Sequence, residues 1–230
     1  MAAGGMRKVI GPALLGLVGV VILASLGFWQ LARLEMKLAQ IAAIEARVAA
    51  PPVPVPDAPD PEADRYLPVQ AEGVFTGEAV HVLSSRQGVG PGSRVIAVLE
   101  TPEGRRLPVD RGFLPEAQRA DLDLSSGPVE VFGNLDWPRD ADGYTPAPDL
   151  TRGLWFSRAP LAIAAHLEAE PLLIVAREVT GPPVPGLAPA PLGIDIRNDH
   201  LEYAVTWFLL AIVWAAMSVY LIWRIRRDPS

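Results

Sequence analysis

Cysteine is absent from these 230 residues, and histidine occurs three times, as His81, His166 and His200. Without thiols there is no disulfide, no thiolate metal site, no thiol redox couple and no covalent c-type haem, which needs Cys-x-x-Cys-His. Any metal chemistry must run through the three imidazoles or through carboxylates. Also missing are a Gly-x-Ser-x-Gly nucleophile elbow and a phosphate-binding loop with its lysine. His81 falls in an alternating run and His166 in a short helical one, so neither suits a Ser/His/Asp hydrolase. The residues nominate no catalytic centre.

What is abundant is apolar. Half of the chain is hydrophobic and the mean hydropathy is +0.25, which points to a membrane protein. The excess is concentrated in two 20-residue runs without a charge, Val9 to Phe28 and Ala204 to Trp223. About 20 helical residues span the ~30 Å hydrocarbon core, so each run is long enough to cross a bilayer. Arg7 and Lys8 ahead of the first run also suit a secretory signal peptide. The run exceeds the usual ~7–15-residue apolar region, however, and Ala24-Ser25-Leu26-Gly27 is a poor cleavage site, so a retained span is expected.

The two tails, 1–8 and 224–230, hold five Lys or Arg in 15 residues, which favours both termini in the cytoplasm. Arg33, Lys37, Arg47 and Arg197 lie near the outer ends and narrow that margin. Between the tails lie 15 basic and 25 acidic residues, a net charge of −10. An acidic outer segment suits neither nucleic acid nor an anionic lipid surface as partner. The lack of an Arg- and Ser-rich presequence reads as a bacterial cell membrane, with the central domain periplasmic.

The expected order is a tail (1–8), a span (9–29) and its helical extension (30–50), where Leu31, Leu34, Leu38, Ile41 and Val48 keep helical spacing. A stiff Pro-rich linker follows (51–65), then a β-rich domain (66–180), a return segment (181–202), the second span (203–223) and a tail (224–230). In the domain, β-rich runs at Val69 to Phe75, Val80 to Val82, Val95 to Leu99, Leu107 to Phe113, Val129 to Leu135 and Leu172 to Ala176 are separated by turns such as Gly88 to Gly92 and Pro102 to Gly104. One helix, Pro160 to Glu168 with Ser157 as its cap, interrupts them. The fold class is thus two transmembrane α-helices flanking a mainly antiparallel β domain of α+β type, with barrel-like closure as one form.

Chemistry of interest lies at the outer ends of the spans. Trp29, Arg33 and Lys37 recur every four residues and share one helical stripe; His200, Tyr203 and Trp207 share another. If the helices pack side by side, one surface holds an imidazole, aromatic rings and two cations, which is what noncovalent haem requires: a neutral ring nitrogen for iron, rings for the macrocycle, and Arg33, Lys37 or Arg197 for the propionates. The same residues also suit plain interfacial anchoring, as Tyr220 and Trp223 do at the inner end.

Gly27-Phe28-Trp29-Gln30-Leu31-Ala32-Arg33 with Lys37, and Asn198-Asp199-His200-Leu201-Glu202-Tyr203-Ala204-Val205-Thr206-Trp207-Phe208, resemble the terminal motifs of the surfeit-locus protein 1 family of cytochrome c oxidase assembly factors. Tyr66-Leu67-Pro68-Val69 with Gly73 and Phe75, and Val109-Asp110-Arg111-Gly112-Phe113-Leu114-Pro115, resemble its internal motifs. The resemblance implies a non-enzymatic assembly factor of the inner membrane that transiently binds haem a and aids its insertion into terminal oxidase subunit I, with haem a synthase as a candidate donor. It further implies His200 as ligand of the haem iron, Tyr203, Thr206 and Trp207 behind it, and Trp29, Gln30 and Arg33 on the facing helix. The alternative is a haem-independent membrane scaffold that binds oxidase subunits.

Overall fold

The computed structural model describes residues 2–119, 123–189 and 198–227, with side chains from residue 9 onward. Two compact units emerge, one from residues 1–43 and 195–230 and the other from 44–194. The first unit is a helix pair. Helix α1 runs unbroken over Ala2–Val48, because its Gly- and Pro-free extension keeps apolar spacing well past the charge-free run. Pro12 lies inside it. Helix α3 is His200–Arg227, so it starts inside the expected return segment and continues through the basic tail. Both helices are long and apolar enough to cross a membrane.

The second unit is a mixed sheet of seven strands: β1 (Val53–Pro54), β2 (Pro68–Arg86), β3 (Gly90–Glu100), β4 (Arg106–Pro115), β5 (Pro128–Asp136), β6 (Leu154–Trp155) and β7 (Leu173–Val179). Pairing runs β2 to β3, β4, β7, β5 and back to β2, so the hydrogen-bonded path closes into a ring. The β4–β7 contact is parallel, as are those of β1 and β6 with β2; the other four are antiparallel. The long strand β2 makes closure possible. Its first half pairs with β5, and after a register shift between Phe75 and Ala79 its second half forms a hairpin with β3. That shift fuses two separately expected runs into one strand.

All five ring strands contribute to one core that includes Val69, Phe75, Leu99, Val109, Val131 and Ile174. A second cluster on the opposite face sets Val82, Ile96, Val98 and Val175 against Trp155 and helix α2 (Pro160–Leu167). Strand β3 is therefore covered on both sides, and Val95 to Leu99 are all fully buried, which explains why five consecutive residues there are apolar. The expected cap of α2 is corrected: Ala159 takes that place with no side-chain hydrogen bond, Pro160 supplies the first turn, and Glu168 ends the helix in the left-handed region at φ 50°.

The stiff Pro-rich linker 51–65 docks on the sheet domain. Val53 pairs with Val69 and Pro54 with Gln70, and Val55 enters the core. Arg105 clamps it, donating from Nη1 to the Val55 carbonyl and from Nη2 to the Pro56 carbonyl, each at 2.9 Å. Its Nε–Nη2 edge meets Glu170 side-on at 2.7 and 2.8 Å, and that carboxylate raises the arginine's pKa. The return segment opens on a second Pro-rich stretch, expected over Pro182 to Pro191, and this is strapped to β4 by reciprocal hydrogen bonds between Phe113 and Ala188. The remainder of the return segment, residues 190–197 with Arg197, lies outside the described residues.

His81, on β2, places Nδ1 3.1 Å from Ser93 Oγ. Burial lowers its pKa below the ordinary 6.5, and Arg119 adds to the shift. The unfolded chain then takes up the proton first. Stability is expected to be level above pH ~6.5 and to fall with pH below it, until the folded imidazole also protonates. His81→Gln should flatten this acid-side slope in denaturation midpoints measured between about pH 7.5 and about pH 5.

Candidate functional site on the helix pair

The two helices approach where side chains are smallest. Gly16, Gly27 and Gln30 are the buried residues of α1 beyond residue 8, and Ala204 and Ala211 those of α3. A Cβ on Gly16 would sit 2.7 Å from Ser218 Cβ, and one on Gly27 2.7 Å from two ring carbons of Phe208. Glycine at these places admits the partner helix, the packing mode favoured where lipid tails remove the hydrophobic drive between helices. Phe28 and Phe208 meet edge to face with centroids 5.2 Å apart, and Trp214 Nε1 donates to the Gly16 carbonyl at 3.2 Å. That bond occupies an indole N–H that would otherwise face an apolar surround.

At the other end of this seam is the one polar link between the helices that joins two side chains among the described residues. His200, half-buried at the start of α3, places Nδ1 2.8 Å from Oε1 of buried Gln30. An amide oxygen only accepts, so this contact is a hydrogen bond when Nδ1 carries a proton; in the neutral ring of that tautomer the lone pair is on Nε2, the nitrogen left for a ligand.

The remaining expected site residues lie around this pair in different ways. Trp29 is 52% exposed, and Arg33 lies over its ring at 5.5 Å from the centroid. Tyr203 is 54% exposed, Trp207 is half-buried, and Thr206 Oγ1 donates to the Glu202 carbonyl at 2.8 Å within its own helix. The stripe of Trp29, Arg33 and Lys37 is therefore not what faces His200: Gln30, one residue and about 100° round the helix from Trp29, takes that place. Aromatic faces and a cation nonetheless remain available near the imidazole.

Sequence reasoning missed the glycine seam. The signal was present in Gly16 and Gly27 on one helix and in Ala204, Ala211 and Ser218, spaced by seven, on the other. No group of three or more His, Asp or Glu able to hold a metal ion occurs among the described residues. His166 is exposed beside Trp155, with ring centroids 5.4 Å apart.

Two apolar helices that precede and follow a ring-closed mixed sheet define a class of helix-flanked β-domain proteins. The sequence profile of the SURF1 family matches residues 17–212. Surfeit locus protein 1 of Xenopus tropicalis is 30% identical over 210 residues, covering 80% of this chain and 67% of that protein. The Homo sapiens protein of the same name is 29% identical over 214 residues, covering 81% and 69%. A SURF1-like protein of Rickettsia felis is 27% identical over 221 residues, covering 90% and 94%. The chain belongs to the SURF1 family, a family of cytochrome oxidase assembly factors rather than of enzymes.

Proposed function

We propose that this chain is an assembly factor that takes up haem a, holds it transiently on the helix pair and passes it to terminal oxidase subunit I, with haem a synthase as the donor. It would sit in the bacterial inner membrane with both termini cytoplasmic and the sheet domain periplasmic. The observation that carries the reading is the Gln30–His200 hydrogen bond, which holds the ring through Nδ1 and leaves Nε2 as the nitrogen for iron.

Haem is cargo in this reading, and the donor set suits a reversible hold. His200 would supply a single nitrogen to iron. Trp29, Tyr203 and Trp207 would lie against the macrocycle, and Arg33 would pair with a propionate. Thr206, whose hydroxyl is committed to its own helix, would shape the wall behind the ligand. One protein ligand lets the cargo leave when the acceptor offers its own.

The test is absorption spectroscopy of the full chain purified from cells that make haem a. A Soret band with haem a in the extracted pigment is expected. A colourless preparation that still co-purifies with oxidase subunits would instead identify a haem-independent scaffold.

The glycine seam should matter without touching the cargo. Gly27→Leu drives a branched side chain into Phe208 and is expected to lower haem occupancy several-fold by separating Gln30 from His200. Gly11→Leu, where a Cβ meets nothing within 4 Å, should leave occupancy unchanged.

A further inference from the structure

The end of the helix pair away from His200 carries chemistry that haem does not use. A cavity of about 290 Å³ lies between the helices, walled by Pro12, Leu15 and Gly16 of α1 and by Trp214, Met217 and Leu221 of α3, with Ser218 and Tyr220 completing it. None of these residues is charged. Two of the polar groups are spent inside the pair: Trp214 Nε1 donates to the Gly16 carbonyl at 3.2 Å, and Ser218 Oγ to the Trp214 carbonyl at 2.7 Å. Apart from the Tyr220 hydroxyl, the wall offers a ligand only apolar surface, which suits hydrocarbon and penalises a polar occupant. Leu15, Met217 and Leu221 are exposed, so the cavity is open on the side that faces lipid when the helices span a bilayer.

Positive charge stands just beyond this wall. Trp214, Met217, Leu221 and Arg224 follow at intervals of three, four and three residues, so Arg224 falls on the stripe that lines the cavity. Lys8 precedes Pro12 by four residues and holds the matching position on α1. Arg226, by contrast, is two residues past Arg224 and about 200° round the helix from it. Arg227 lies over the Trp223 ring at 4.0 Å, and that ring lies 5.8 Å from Tyr220, an aromatic and basic level typical of a membrane interface. Asp228 is the one acid in residues 1–8 and 224–230 against five Lys or Arg, so this end keeps a net charge of +4.

The dimensions match one leaflet. Ten residues separate Trp214 from Arg224, about 15 Å of helix, which is half of the ~30 Å hydrocarbon core. The cavity volume is that of about ten water-sized groups, enough for a run of methylenes.

We propose that this groove holds one anionic phospholipid, an acyl chain along Pro12, Leu15, Met217 and Leu221 and its phosphate at Arg224. The apolar wall binds the chain of any lipid, and the basic end adds the preference for a negative headgroup. The inference rests on the helices spanning a membrane and not on haem.

The test is native mass spectrometry of the full chain released from nanodiscs of phosphatidylcholine and phosphatidylglycerol in equal parts. One retained phosphatidylglycerol per chain, in preference to phosphatidylcholine, is expected. Arg224→Gln should lower that retention about fivefold, whereas Arg226→Gln, the same charge change turned away from the groove, should stay within about twofold of wild type. Leu15→Trp, which fills the groove and keeps every charge, should lower it as well and covers the case in which Arg224→Gln does not insert. Equal retention of the two lipids, equal loss in both arginine variants, undiminished retention in Leu15→Trp, or a dimer in place of bound lipid would each overturn this inference alone. A wild-type chain that does not enter nanodiscs would overturn the spans together with it.

Discussion

His200→Ala is expected to reduce the haem content of the purified chain to background while leaving its yield and the β-sheet signal intact. In the proposed reading this side chain supplies the imidazole nitrogen for iron, and neither His81 nor His166 belongs to the helix pair. Loss of an iron ligand is not offset by aromatic contacts, which recognise the macrocycle but not the metal. Gln30→Ala makes the sharper comparison. It keeps the ligand but frees the ring to rotate and to place its proton on either nitrogen, and losing such an outer partner typically costs about 10–100-fold in metal affinity. A graded series, wild type above Gln30→Ala above His200→Ala, is the expected pattern. Wild-type Soret intensity in His200→Ala would remove this residue from the site.

The largest stability effect is expected at Asp110. Its side chain is wholly excluded from solvent and bonded to an Arg94 that is 14% exposed. Burial pushes the carboxyl's pKa up, while Arg94, and more weakly Arg158, pull it back down. Asp110→Ala leaves a largely buried guanidinium without its counter-ion, with Arg94 Nη2 already unbonded, and should cost about 3 kcal/mol or more. It also removes the acceptor of the Gly112 N–H, so the turn beneath the strap loosens. The comparison is Glu62 with Arg139, an ion pair three-quarters exposed on both sides; Glu62→Ala should cost no more than about 1 kcal/mol. Denaturant midpoints from the sheet's circular dichroism would distinguish them. Equal shifts would mean that the Asp110 pair is screened as well as a surface pair.

Much of the helix pair was legible because its signals are local. A charge-free run of 20 residues is a property of the chain itself, and the outward extension of α1 follows from apolar spacing without Gly or Pro. His200 could be picked out from its neighbours Tyr203 and Trp207 and from the family motif. The partner of His200 could not. Trp29 and Gln30 are adjacent, and choosing between them requires the rotation of α1 about its axis, which the contacts of Gly16 and Gly27 set. In the β domain the same limit recurs: the runs of β3, β4 and β5 were readable, but β2 was read as two strands because the shift at Phe75 to Ala79 leaves no mark in hydropathy.

By itself, then, the sequence determined the two apolar helices, the β-rich character of the domain between them, the exclusion of thiol chemistry and the identity of the candidate ligand. These depend on composition, on runs and on periods of two or 3.6 residues, all encoded within a few turns of chain. Only the tertiary structure decided that Gln30 meets a histidine 170 positions away, that a proline-rich stretch docks beneath Arg105, that the sheet closes through β2 and β5, and that Arg111 is buried against Phe75 with no ion pair among the described residues. Those outcomes depend on register and on close approach of distant backbone, which a side chain's own neighbours do not specify.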